Sequence, residues 1–174
     1  ATLVSEWIRR SRVDAAWVSL NADDGDRLWL YAAHAIDGVI PGFAETMRPF
    51  LGGGGGAASP KRFISHLIPE LPPRSKPFLL VLDDAHFVKS SEAQDGLRFF
   101  LRNMPESVRL VLIGRHAPPL PLSRLRMLGE LHEIGMQDLR FSPEETAELV
   151  EKSLRRKVPA AAAELICAKT EGWA

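Results

Sequence analysis

The sequence Phe78-Leu79-Leu80-Val81-Leu82-Asp83-Asp84-Ala85-His86 decides how the rest of this chain is interpreted. Its apolar residues follow one another without a polar interruption, and two adjacent aspartates end the run. An apolar run of this kind, directly after Pro77, predicts a strand that is buried on both faces. Open α/β sheets bind ligands at the carboxyl ends of their strands, so the two carboxylates stand where a ligand would bind. A strand followed by an aspartate-rich turn fits these residues equally well.

The composition is that of an ordinary globular protein of 174 residues, enough for one domain with a proper core. Lys+Arg and Asp+Glu both number 22, and the resulting formal net charge of zero argues against a nucleic-acid-binding module. Cys167 is the only cysteine, which excludes an internal disulfide and a cysteine-based zinc site. No apolar run approaches the roughly 18 residues of a membrane span, and no signal peptide is recognisable.

Helical and strand patterns alternate over the first 135 or so residues, which predicts a parallel sheet with helices on both faces. The turn signals and periodicities place helices at 1–10, 27–40, 59–71, 92–103 and 122–128, and strands at 15–20, 78–82, 109–114 and 130–134. Asp26 and Ser91 are the expected N-caps of two of these helices, residues 43–58 are expected to form a loop, and the core is expected to include Trp7, Trp17 and Trp29. Ser142, Pro143 and Glu145 predict a capping box at the start of a helix at 142–156. With a second helix at 160–169 it forms a separate helical piece, so we expect an α/β domain at 1–140 and the start of a helical module at 141–174.

Two local features qualify this outline. The first helical pattern has no N-cap residue before it, so we expect the chain to begin inside an element of a longer protein. Gly52 to Gly56 suggest a phosphate-binding loop, but no Lys-Ser or Lys-Thr follows them. We therefore interpret the glycine run as a flexible loop.

Six segments in order carry a resemblance to a known family. They are Thr2-Leu3 with Trp7; Ser19-Leu20-Asn21 with Asp24, Asp26, Trp29 and Tyr31; Leu79 to His86; Leu110 to Arg115 with Pro118 to Leu122 and Arg124 to Arg126; Asp138 to Glu145; and Thr170 to Ala174. Together they resemble the nucleotide-binding domain of MalT/LuxR-type signal-transduction ATPases, the NB-ARC-like STAND class of P-loop proteins. The resemblance implies a P-loop NTPase-like α/β fold.

The chain departs from this family at the phosphate loop, which is absent from it together with the strand that feeds the loop. By register, Ala1 stands where the family has its Mg²⁺-binding threonine, and Thr2 matches the next residue, which we assign to nucleotide binding. Because that loop supplies backbone N–H donors and a lysine to the phosphates, we expect this chain alone to bind ATP weakly or not at all. The missing strand should leave a gap or an unpaired edge in the sheet.

The resemblance also implies roles for residues near the central strand. Asp83 is expected to hold Mg²⁺ through water, because hard cations select carboxylates and retain waters. Asp84 is expected to orient the attacking water, and Arg115 to contact the γ-phosphate and take part in catalysis. The alternatives are a turn role for the aspartates and a surface ion pair for the arginine. His86 and His116 flank the same edge, where a hydrogen-bonded structural histidine is the commoner case.

The implied function is the regulatory ATPase core of a bacterial, cytoplasmic LuxR/MalT-type transcriptional regulator, with ATP and Mg²⁺ as cofactors. Nucleotide would control self-association of the full-length parent, DNA would be bound only through a separate C-terminal domain, and no membrane would be involved. ATP hydrolysis is expected for that parent and not for this chain alone. Two alternatives remain: a non-hydrolysing protein-interaction scaffold, and an ATPase of the AAA+ type, which the junction at Ser142 to Glu145 makes less favoured.

Overall fold

A computed structural model describes residues 1–22, 24, 27–51 and 59–173. The chain forms two compact units, residues 1–121 and 122–174. Residues 122–140, which the sequence analysis assigns to the α/β domain, belong to the second unit. Asp26, expected to cap a helix, and the run from Gly52 to Gly56 lie outside the described residues.

Over its described residues, the first unit is an α/β structure built on three parallel strands. Its strands are β1 (Ala15–Ser19), β2 (Phe78–Asp83) and β3 (Val108–Leu112), and its helices are α1 (Thr2–Ser11), α2 (Leu28–Asp37), α3 (Phe43–Leu51), α4 (Pro60–Leu67) and α5 (Ser91–Asn103). The strand order is β1-β2-β3, with Val18 opposite Leu82 and Leu82 opposite Leu112. The predicted parallel sheet with its apolar central strand is therefore confirmed.

The main core lies on one face of this sheet. Side chains alternate between the two faces of a strand, so Phe78, Leu80 and Leu82 of β2 share one face. They belong to one buried cluster with residues of α2, α3, α4 and α5, including Phe100, which is fully buried. Leu79 and Val81 on the opposite face are also buried but lie outside that cluster. Both faces of β2 are thus protected from water, as its continuous apolar sequence predicts.

Helix α3 was not predicted, because the neighbouring glycines led us to treat residues 43–58 as one loop. Phe43 and Met47, one helical turn apart, are both buried in the core and account for this helix. A smaller correction concerns α5: Ser90, not Ser91, is its N-cap, and the Ser90 hydroxyl accepts a hydrogen bond from the Ala93 N–H.

The second unit is helical. It contains α6 (Ser123–Met127), α7 (Met136–Leu139), α8 (Pro143–Leu154) and α9 (Ala160–Thr170). The start of α8 has the predicted capping box: the Ser142 Oγ accepts the Glu145 N–H at 3.2 Å, and the Glu145 carboxylate accepts the Ser142 N–H at 2.8 Å.

The prediction of a strand at 130–134 is wrong. These residues form no regular element, and the short helix α7, which was not predicted, follows them. Glu133 instead binds Arg126 through two contacts of 2.7 Å, which holds the segment against α6 rather than in a sheet. The apolar alternation was too short to define a strand without a neighbouring strand to pair with.

Candidate active site at the carboxyl edge of the sheet

The carboxyl ends of the three strands are joined by main-chain hydrogen bonds that continue past the strands themselves. The Leu20 N–H donates to the Asp83 carbonyl at 3.1 Å, and the Ile113 N–H donates to the Leu82 carbonyl at 2.9 Å. The Ala85 N–H donates in turn to the Ile113 carbonyl at 2.8 Å. This network fixes the main chain around Asp83 and Asp84, so the residues after β2 and β3 lie at one edge.

Asp83 is the last residue of β2 and is half-buried. Its Oδ1 accepts a hydrogen bond from the Asp84 N–H at 3.1 Å, which orients the carboxylate. Within the described part of the chain, no protein donor is found for the other oxygen, Oδ2. One carboxylate oxygen is therefore held by the main chain while the second can accept from water or approach a cation.

Asp84 has a left-handed backbone conformation, with φ of 55°. Its carbonyl accepts the Phe87 N–H at 3.0 Å and so begins a short 3₁₀ turn, Ala85–Phe87. Aspartate tolerates this conformation better than most residues. The turn leads the chain away from the strand direction and leaves the Asp84 side chain 48% exposed. Asp84 thus combines a fixed main chain with a carboxylate that is accessible to solvent.

Arg115 follows β3 by a few residues and is exposed at the same end of the sheet. No hydrogen bond or ion pair to its guanidinium is found among residues 1–22, 24, 27–51 and 59–173. A Cβ built on the preceding Gly114 would lie 3.4 Å from the His86 N atom, so the chains after β2 and β3 pass closely here. Arg115 and Asp83 therefore share an edge without contacting each other, and His116 is exposed beside them.

Thr2 is not linked to this group by any hydrogen bond within the described residues. It is the exposed first residue of α1, and its carbonyl accepts the Ser5 hydroxyl at 2.9 Å. Its assignment to nucleotide binding stays a prediction from the resemblance.

Asp24 is a buried carboxylate, 9% exposed, in the loop after β1, and the sequence analysis gave it no role of its own. It accepts hydrogen bonds from the Asn21 N–H at 3.1 Å and from the Tyr31 hydroxyl at 3.0 Å. These bonds tie the loop to α2 and stabilise the carboxyl end of β1. The signal in the sequence was an aspartate in the acidic loop that follows a strand, but the hydrogen bond from Tyr31, seven residues further on, could not be predicted from it.

The described residues show no group of three or more His, Cys, Asp or Glu side chains suited to a metal ion. Among the same residues, every helix is too short or too polar to cross a bilayer. A pocket of about 350 Å³ lies in the second unit, lined in part by Arg140 and Glu171. These two side chains carry opposite charges and lie 3.6 Å apart. Because they pair with each other, they are less available to bind a ligand than the side chains at the edge of the sheet.

No protein-family model matches this chain.

Proposed function

We propose that this chain is the nucleotide-responsive α/β core of a signal-transduction ATPase of the MalT/LuxR type, with ATP and Mg²⁺ as its ligands. The observation that carries the proposal is the convergence of Asp83, Asp84 and Arg115 on the carboxyl edge of adjacent parallel strands. Such an edge is where open α/β sheets bind ligands. The proposal also rests on the resemblance of six ordered segments to that family.

In this proposal Asp83 holds Mg²⁺ through water. Its Oδ1 is engaged by the Asp84 N–H, so Oδ2 would accept from a metal-bound water. Mg²⁺ takes one or two protein carboxylates and completes its octahedral shell with waters and phosphate oxygens. A single well-oriented aspartate at this edge is therefore sufficient, and a cluster of three acidic residues is not needed.

Asp84 and Arg115 would then act on the phosphates. The exposed Asp84 carboxylate can accept a proton or orient a water that attacks the γ-phosphate. The unpaired Arg115 guanidinium offers a fork of donors for phosphate oxygens, and it has no protein acceptor to give up within the described residues. The implied consequence is a nucleotide-controlled change in self-association and, through a separate domain, in DNA binding and transcription.

The test uses Mn²⁺ as a paramagnetic substitute for Mg²⁺ in the presence of millimolar ATP. We expect broadening of the amide NMR signals of residues 83–86 and 114–116, and no broadening of residues 106–109 at the opposite end of β3. Asp83→Asn, which keeps the shape and removes the charge, should abolish the effect. Glu106→Gln is the matched control and should preserve it. Broadening that persists in Asp83→Asn would contradict the proposal.

Isothermal titration with ATP–Mg²⁺ addresses the phosphate loop separately. The 174 residues contain no Gly-Lys-Thr phosphate loop, so we expect binding weaker than micromolar. Micromolar affinity would show that this chain holds phosphates by other means.

A second candidate, a non-hydrolysing protein-interaction scaffold, is favoured by one specific observation. Several large apolar side chains of the second unit are more than half exposed, and a partner that covered them would bury apolar surface. They are Met127, Leu128, Ile134, Met136, Leu154 and Leu165. A chain that gives no metal- or nucleotide-dependent signal at residues 83–86 would support this candidate.

A further inference from the structure

The imidazole of His86 carries a buried nitrogen that lacks a hydrogen-bond partner. Its Nδ1 atom is inaccessible to solvent and has no partner within hydrogen-bond distance in the described part of the chain. A buried polar atom without a partner destabilises the folded state, so each such atom calls for an explanation. The nearby carboxylate oxygen, Asp84 Oδ1, lies 3.6 Å away, slightly too far for a hydrogen bond.

The His86 ring is held firmly in place. It packs on Phe87 with ring centroids 4.2 Å apart, and its side chain is only 13% exposed. The main chain that carries the ring is fixed beside the segment after β3: a Cβ built on Gly114 would lie 3.4 Å from the His86 N atom, and the Ala85 N–H donates to the Ile113 carbonyl. The ring therefore cannot move far to find another partner.

The Asp84 carboxylate is the mobile member of this pair. Its main chain is fixed, but its side chain is 48% exposed and can rotate about its own bonds. A hydrogen bond between nitrogen and oxygen has a typical length of about 2.9 Å. Closing the gap from 3.6 Å therefore requires a shift of less than an ångström at Oδ1.

The chemistry of imidazole sets the direction of this bond. A neutral imidazole has one N–H donor and one lone-pair acceptor. A lone pair on Nδ1 would face a carboxylate oxygen and repel it, whereas an N–H on Nδ1 would be attracted. The proton therefore belongs on Nδ1, and the tautomer is determined by Asp84.

We propose that His86 is a positioning residue for Asp84: its Nδ1–H donates to Oδ1 of Asp84 and leaves Oδ2 directed toward the open edge of the sheet. The contact is inferred from the 3.6 Å approach of the two side chains and the unpartnered Nδ1 atom, while its use in orienting water or phosphate rests on the proposed function. A Cβ built on Gly114 would lie 3.4 Å from the His86 N atom, so the segment that carries Arg115 passes close to the main chain of His86.

The tautomer of His86 tests the contact without any nucleotide. In a sample labelled with ¹⁵N-histidine at pH 8.5, where free histidine is neutral, long-range ¹H–¹⁵N correlation distinguishes Nδ1–H from Nε2–H. We expect His86 to be protonated on Nδ1, and Asp84→Ala to shift it toward Nε2–H. Glu92→Ala, which removes an exposed carboxylate from α5, is the control and should change nothing. An Nε2–H tautomer in the unaltered chain would overturn the proposal.

Replacement of the histidine provides an atom-specific test. The side-chain amide of asparagine reaches the position of Nδ1, whereas that of glutamine reaches the position of Nε2. We expect the ¹³Cγ signal of Asp84 to be retained in His86→Asn and to move in His86→Gln. Equal shifts in both variants would refute a role for Nδ1. If either variant fails to fold, the tautomer measurement on the unaltered chain still tests the proposed contact between His86 and Asp84.

The two proposals can fail independently. Loss of the Mn²⁺–ATP effect at residues 83–86 would refute the proposed function but would leave the Nδ1–H tautomer untouched. An Nε2–H tautomer combined with a clear, Asp83-dependent Mn²⁺–ATP effect would refute the positioning role alone.

Discussion

Gly96 lies inside α5, where a glycine ordinarily weakens a helix by about 0.5–1 kcal/mol relative to alanine. On propensity alone, Gly96→Ala should therefore stabilise the protein. The surroundings predict the opposite. A Cβ at this position would lie 2.8 Å from the Pro60 Cβ, 2.9 Å from the Trp29 Nε1 and 3.2 Å from the Ile64 Cδ1. The proline ring and the buried indole are rigid, so α4 and α5 would have to move apart.

Overpacking of this kind costs about 1–3 kcal/mol. After the propensity gain is subtracted, we expect Gly96→Ala to lower the free energy of unfolding by up to about 2.5 kcal/mol, which corresponds to a fall of up to about 10 °C in Tm. Thermal and urea unfolding followed by far-UV circular dichroism measures both quantities. Gly38→Ala is the matched control, since its Cβ would approach only the Ala35 carbonyl, at 3.3 Å, and its φ of −66° suits alanine.

A double mutant separates the two contacts. Trp29→Phe removes the Nε1 atom, which is buried without a hydrogen-bond partner in the described structure, and it should reduce the penalty of Gly96→Ala by more than about 0.5 kcal/mol. The contact with Pro60 would keep part of the penalty. A Gly96→Ala variant that is more stable than the unaltered chain would refute the close packing of α4 against α5 at Gly96.

Two further predictions concern helix ends and charge. Ser142→Ala should destabilise the second unit by about 1 kcal/mol, because α8 loses its cap. Ser153→Ala in the same helix is the control and should have little effect. Unfolding followed by circular dichroism compares the stability of the two variants. Hydrogen bonds from Arg9 and then Arg10 lower the pKa of Glu6 to about 2. Because the folded pKa lies below the ordinary value of 4.5, the contribution of Glu6 to α1 is present above pH 4.5 and is lost as the pH falls toward 2. NMR titration of the Glu6 carboxyl should show the lowered pKa, and high salt should weaken the interaction with the two arginines. An ordinary titration near pH 4.5 would contradict the prediction.

How far sequence reasoning succeeded differed between the elements. The three parallel strands, the helices α1, α2, α4 and α5, and the capping box of α8 were predicted from apolar runs, helical periodicity and cap residues. Each of these signals is local, so the sequence alone contains it. Trp7 was expected in the core and is instead 48% exposed, because periodicity identifies an apolar face of a helix but not whether another element covers it.

The candidate site likewise combines features that were predicted from local sequence with features that were not. The sequence by itself determined that Asp83 and Asp84 end a buried strand, and that an arginine follows the next one. Only the tertiary structure decided which strands are neighbours, that the Tyr31 hydroxyl donates a hydrogen bond to the buried Asp24, and that the Nδ1 atom of His86 faces Asp84. Strand endings depend on residues adjacent in the chain, whereas these contacts join residues whose approach is set by register, main-chain hydrogen bonds and packing. Amino-acid composition and the spacing of residues along the chain therefore do not predict such distances.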